Sequence, residues 1–288
     1  MNDLDEIRTL LAKPAPSPDV VTRRRRQLRN SMGQRPFRRK APWILVPAAV
    51  AAVAAGLVIA PGRFGNAPPP MTSARDVLLV AATTAARTHE EPGKYWHVTV
   101  TQNGQQREEY WYQRDGQLWI KGEGLKGEGK LTKLISKPEP FAIGPLRMTF
   151  DELRQLPADE NALYTQLRSA VADSHLRTSA GPLSDAQEDG AATETLISLI
   201  SEAPVSPEVR AGAYRALAAR PGVQDLGDAD GGRRLQVQVT DGTDTIVVDP
   251  NTAHVHNTSS WVPLTGGIMS SDGNVTIDTE WTDDLPAE

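Results

Sequence analysis

The sequence predicts a membrane-anchored α+β protein. It comprises a short cytoplasmic helical tail over residues 1–40, one transmembrane helix over 41–62, a proline-rich linker over 63–72 and a domain over 73–288 whose antiparallel sheet carries helices on one face. Three observations predict this. Residues 41–62 (APWILVPAAVAAVAAGLVIAPG) contain no charged side chain, and at about 1.5 Å of rise per residue such a helix covers roughly the 30 Å hydrocarbon core of a bilayer. Nine Lys and Arg lie in the 20 residues before this stretch, but only Arg63 and Arg75 in the 20 after it. Beyond residue 73 the pattern runs helix, strands, helices, strands, the order of an α+β domain.

In the tail, Leu4, Ile7, Leu10 and Leu11 recur at helical spacing behind Asp3, Asp5 and Glu6, acids that the positive end of a helix favours. Pro14, Pro16 and Pro18 end that helix, and Ser17-Pro18-Asp19 opens a second one carrying four consecutive arginines from Arg23. Helices this short are marginal in water, so the leucine face either docks a partner or belongs to a solvated, membrane-proximal tail. The span itself is rich in alanine and starts beside Trp43, an interfacial aromatic. Cations are retained in the cytoplasm, which places the amino terminus inside and residues 73–288 outside. A cleaved signal peptide fits poorly, because 40 residues precede the apolar run and the Gly65-Asn66-Ala67 site runs into three prolines. Arg25-Arg26 is too far from the run for a twin-arginine signal, and a soluble alanine-rich helix would carry a polar face.

The net charge of −5 is split, +7 over residues 1–40 and −12 over the rest. A basic tail suits the anionic inner leaflet, and an acidic outer domain suits no nucleic-acid partner. Cysteine is absent, which excludes disulfides, a thiol nucleophile and cysteine-ligated metals.

In the outer domain, Ser73 with Asp76 three residues on caps a helix whose apolar face is Ala74, Val77, Leu78, Ala81, Ala82 and Ala85. Alternation over 94–101, 107–113 and 117–121, with Asn103-Gly104 and Asp115-Gly116 between, predicts an antiparallel meander. The glycine- and lysine-rich residues 121–137 read as a long hairpin or a mobile flap. Thr149 and Glu152 form a capping box, and Leu163, Leu167 and Val171 share a helical face. Leu196, Leu199 and Ile200 make another helical stripe, and residues 174–190 read as polar and loop-rich. Ser206-Pro207-Glu208 starts a helix that Pro221-Gly222 stops. Leu235, Val237 and Val239, then 245–249, form strands around Thr240-Asp241-Gly242, followed by a turn at Asp249-Pro250-Asn251-Thr252. Trp261, Ile268, Val275, Ile277 and Trp281 suggest further strands.

No catalytic, cofactor-binding or metal-binding set emerges. His254 and His256 offer two ligands from one strand face without a third, and so read as an exposed pair. His97 reads as solvent-facing, His89 and His175 as loop residues, and Glu108-Glu109, Asp228, Asp230 and Asp283-Asp284 as solvated charges. The segment Ser270-Ser271-Asp272-Gly273 lacks the strand-to-helix elbow of a hydrolase. An enzyme would require a cleft holding His97 or His254 with two acids in hydrogen-bond reach. Tyr95, Trp96, Tyr110, Trp111, Tyr112 and Trp119 could line a concave, ligand-facing sheet surface, although ordinary cross-strand packing explains them too.

The chain also resembles a family of single-pass membrane proteins of actinobacteria, often encoded near extracytoplasmic-function sigma factors. The stretches that carry this are LDEIRTLLAKPAPSPDVVTRRRRQL, REEYWYQRDGQLW, MTFDELRQLPADENAL, ISEAPVSPEVRAGAYRALAARPGVQDLG and IVVDPNTAHV. The family brings no activity or catalytic residues, and its gene neighbourhood implies an anti-sigma-like role. A fainter similarity, in element order, links the outer domain to lipoprotein carriers and to the outer regulator of envelope-stress sigma pathways. The tail has no cysteine, and no histidine precedes residue 89, so the zinc-binding anti-sigma pattern is missing. The expected function is a single-pass, non-enzymatic regulatory or sensor protein. Its tail would touch a cytoplasmic regulator such as a sigma factor, and its outer domain a lipid or envelope ligand. The alternative is a membrane-tethered lipid or lipoprotein carrier.

Overall fold

A computed structural model describes residues 73–286, apart from 91, 124, 135–139, 179–180, 257, 262 and 267–268. The tail with Leu4, Ile7, Leu10 and Leu11, the 41–62 stretch and the linker lie outside the described residues. Among those described, no helix is long and apolar enough to cross a membrane.

Ser73 caps α1 (Ala74–Arg87), its Oγ accepting the Asp76 amide at 3.2 Å, and the expected apolar stripe is buried. Next come β1 (Tyr95–Gln102), β2 (Gln106–Tyr112) and β3 (Leu118–Gly122), within one residue of the expected starts. Asn103 and Gly104 both take positive φ, 53° and 66°, as a tight hairpin turn requires. The glycine- and lysine-rich segment forms the hairpin as far as residue 134, returning as β4 (Thr132–Lys133) along β3.

A small hairpin, β5 (Phe141–Ile143) with β6 (Leu146–Met148), precedes α2 (Phe150–Arg154), which starts from the Thr149–Glu152 capping box. The helix α3 (Glu160–Asp173) buries Leu163, Leu167 and Val171. Residues 174–190 differ from expectation. They contain a two-residue ladder, β7 (Arg177–Thr178) with β8 (Gly181–Pro182), and the first turns of α4 (Asp185–Ser201). Ser184 and Gln187 form a second capping box, and the first buried face of α4 consists of Gly190, Ala191, Ala192, Thr193 and Thr195. Residues so small or polar leave no apolar stripe in the sequence. Ser206 and Pro207 start α5 (Pro207–Ala218) as expected.

The strands β9 (Gln224–Ala229), β10 (Gly232–Val239), β11 (Gly242–Asp249), β12 (His254–His256), β13 (Thr258–Trp261) and β14 (Met269–Thr282) complete an α+β domain with antiparallel sheets. The strands form two main sheets where one was expected, β13-β14-β1-β2-β3-β4 and β12-β11-β10-β9. The edge strand β12 of one sheet ends at His256 and the edge strand β13 of the other starts at Thr258, with β12 beside β14 and β11 beside β13. Helices α1, α3, α4 and α5 pack on one another, and their inner faces merge with those of both sheets into one core. Tyr214, Leu78, Leu196, Leu199, Leu217 and Leu235 are fully buried in it.

Gly190 marks the closest approach of α4 to the second sheet, since a Cβ there would sit 2.5 Å from the backbone of Val239 and Thr240. On an exposed helix Gly→Ala stabilises by about 1 kcal/mol. Here the sign should reverse: Gly190→Ala is expected to destabilise the chain by about 1–3 kcal/mol, as overpacking does. The urea midpoint of the full chain in detergent checks this, and an unchanged or raised midpoint would refute the close contact.

Candidate functional site

Strand alternation decides where the aromatics go. Trp96, Tyr110 and Tyr112 point inward with Val98, Val100, Leu118 and Ile120 and join the main core. Tyr95, Trp111 and Trp119 point to the opposite face, where Trp111 and Trp119 are buried with Leu131, and Tyr95 and Leu285 pack alongside. The six aromatics therefore do not line a single concave surface. Tyr95 meets Trp119 edge-on at 5.4 Å, and Tyr110 stacks on Tyr112 at 6.3 Å, which is cross-strand and core packing.

The same alternation corrects the reading of two polar residues. Glu108 shares the inner face of β2 with Tyr110 and is only 3% exposed, its carboxylate accepting the Tyr110 hydroxyl at 2.7 Å, so it is not a solvated charge. His97 lies on the outer face but is covered, stacked on Trp111 with ring centroids 4.6 Å apart. Its Nε2 is 3.2 Å from Glu109 and its Nδ1 3.2 Å from Glu280. Two acids thus stand in hydrogen-bond reach of a histidine. They occupy both ring nitrogens, however, and leave neither for a substrate.

A cavity of about 220 Å³ lies where α1 ends, α5 begins, and β1, β14 and the β11–β12 turn meet. Its buried base is Ala85, Trp96, Val205 and Ala253, and its exposed rim includes Thr88, His89, Thr252 and His254. Hydrogen bonds to backbone tie the walls together. The Trp96 indole N–H donates to the Glu202 carbonyl at 2.7 Å, the Tyr214 hydroxyl to the Ala253 carbonyl at 2.9 Å, and the Thr84 hydroxyl to the Pro250 carbonyl at 2.7 Å. Trp281, paired with Trp96 across β14 and β1, holds its ring 5.2 Å away at 61°. Its N–H donates to Glu90, which also accepts two bonds from Arg154 at 2.8 and 2.9 Å.

Arg210, one turn into α5, enters the cavity from the helix side. It is densely surrounded by protein yet partly accessible, because it faces the cavity. One terminal nitrogen, Nη2, donates to the Ala203 carbonyl at 3.0 Å, and the guanidinium carbon lies 5.8 Å from the Trp96 ring centroid, within cation–π range. Among the described residues no carboxylate forms an ion pair with it, and its buried Nε has no partner. Burial lowers its pKa, against the supporting field of Glu90. His254 is exposed at the rim, yet the protein packed around it, and after that the neighbouring His256 ring, hold it below the usual histidine value. The two rings lie 6.1 Å apart, and among the described residues no cluster of three metal-ligating side chains occurs.

Of the residues expected to face a ligand, only Trp96 lines this cavity; Arg210, Glu90 and Trp281 were not among them. One local signal existed. Arg210, Tyr214 and Leu217 are spaced i, i+4, i+7, which sets a cation on the buried stripe of a helix. No family model matches the chain, and neither a curated protein nor a solved structure matches it.

Beneath the cavity, at the C-cap of α4, Glu202 is 2% exposed. Burial raises its carboxyl pKa well above the ordinary 4.5. Such an acid holds its proton to higher pH in the folded chain than in the unfolded one. The penalty is therefore absent below the unfolded pKa and grows as pH rises towards the folded one. Glu202→Gln is expected to melt no higher than the parent near pH 4 and above it near pH 8. The gain should grow by at most about 1.4 kcal/mol per pH unit between. Thermal unfolding at several pH values checks this; a difference that does not vary with pH would rule out a neutral buried acid.

Proposed function

We propose that the chain is a single-pass, membrane-anchored, non-enzymatic regulatory or sensor protein whose outer domain binds a small ligand in the cavity between Trp96, Trp281 and Arg210. The observation that carries this reading is a cavity with cross-linked walls into which a guanidinium projects without a carboxylate partner among the described residues. Arg168 and Arg233, by contrast, are paired, the first with Glu188 and Asp189 and the second with Asp225 and Asp228, while Arg220 covers its charge by lying on the Tyr164 ring, 3.6 Å from its centroid. None of these three lines this cavity, whereas Arg210 does, and an unpaired buried charge is costly unless something meets it.

The charge asymmetry about residues 41–62 supports the anchor and its orientation. It leaves the Leu4, Ile7, Leu10 and Leu11 face to meet a cytoplasmic regulator, for which a sigma factor is the class that the family resemblance suggests. The size of the cavity favours sensing over carriage. An apolar cavity of about 150 Å³ accepts benzene, and 220 Å³ accepts little more than a substituted ring, far less than the acyl chains of a lipoprotein.

The test is native mass spectrometry of the full chain purified in detergent from its own membrane, beside Thr88→Trp, which blocks the exposed rim. A bound species of low mass, present in the parent and lost in the variant, is expected. A stoichiometric diacyl lipid that survives the substitution would replace this reading with the carrier one. Protease treatment of intact cells should remove residues 73–288 and spare the tail; the opposite pattern would overturn the orientation.

A further inference from the structure

We infer that the cavity selects a small organic monocarboxylate, its carboxylate on Arg210 and its apolar part against Trp96 and Trp281. The inference rests on the cavity being the ligand site. It follows from the charges that face the space, taken one by one. Glu90 is bound twice by Arg154 and once by the Trp281 indole. Glu280 has its carboxylate on His97. Each acid of the cavity thus already has a cation or donor outside it. Arg210 has five N–H donors, and among the described residues one hydrogen bond, to Ala203, engages them. The unmet demand in the cavity is therefore for an acceptor, and for a negative one, since hydrogen bonds between ions are the strong kind.

The ligand's charge is bounded as well. A single guanidinium accommodates one carboxylate, in the fork geometry that suits it. Glu90 and Glu280 border the same space, so a second negative charge would meet repulsion from both, with only the rim imidazoles of His89 and His254 and no second guanidinium or ammonium among the lining residues to offset it, and dianions such as phosphate monoesters are disfavoured. The two indoles, 5.2 Å apart at 61°, provide an apolar corner for the rest of the molecule, and the 220 Å³ available limits that part to about a ring or a short chain.

The experiment uses the full chain in detergent and reads tryptophan fluorescence and thermal shift, because Trp96 and Trp281 border the site. The probes are acetate, butyrate, benzoate and phenylacetate, the neutral amide of each, and phenyl phosphate. Benzoate or phenylacetate is expected to bind saturably and about tenfold or more tighter than its amide, the difference one charged hydrogen-bonded pair makes, with phenyl phosphate weaker than the matching acid. Arg210→Gln should abolish the preference for acid over amide while amide binding persists, which also shows that the variant is folded; Arg210→Lys should keep part of it. Should Arg210→Gln fail to fold, the acid-to-amide ratio of the parent still decides the matter. Amides binding as tightly as acids, or phenyl phosphate binding tightest, would overturn the ligand class and leave the cavity as the ligand site. No saturable response to any probe would overturn the cavity reading along with it.

Discussion

The long antiparallel pairing of β14 with β1 is the constraint on which the rest of the described domain depends. It joins residues 95–102 to 275–282 over eight consecutive positions, closing a loop of about 180 residues. Loop closure of that length is entropically unfavourable but rises only slowly with length, and the pairing offsets it by burying Trp96, Val98 and Val100 beside Val275 and Ile277. With β14 in place, β1 has a partner on both edges. Its inner face then becomes a surface on which the helices can settle.

The cavity is a by-product of that closure. The pairing sets Trp96 opposite Trp281, and each indole is then spoken for at a different wall, one by the α4 C-cap carbonyl and the other by Glu90 after α1. Tyr214 draws the β11–β12 turn onto α5, one turn beyond Arg210. Five separate segments meet at one point, and none of them supplies a side chain large enough to fill it. A residual space lined by aromatic rings, with a charge projecting into it, is where a protein most often holds a small molecule.

The polar groups around that space fall into two kinds. Arg168, Arg154 and Arg233 have acids at contact distance and hold the fold together from its surface. Arg210 and Glu202 lie deeper, each without a described counter-ion, and their pKa values move in the directions that favour the uncharged form. Arg210 gains support from Glu90 and the Trp96 ring and keeps its charge facing the cavity. Glu202 has nothing comparable, and its burial favours the neutral form. That asymmetry gives the site its positive character in a domain whose overall sequence is acidic.

By itself the sequence determined what local chemistry decides: the caps at Ser73, Thr149 and Ser206, the Asn103-Gly104 turn, the alternation of β1 to β3 and the helical stripes with large apolar residues. Each is settled within a span of four to eight residues by hydrogen bonds and side-chain direction. The first half of α4 escaped because its buried face is glycine, alanine and threonine, which pack by close approach and leave no apolar pattern. Only the tertiary structure decided that the last strand lies beside the first, that the strands divide into two sheets, that Glu108 faces the core, and that Arg210 meets Trp96 and Trp281 around one space. The physical reason is range. A capping oxygen finds its amide three residues away, whereas a strand edge or a cavity wall is chosen by the burial of surfaces more than a hundred residues apart, and no short window of sequence contains both partners.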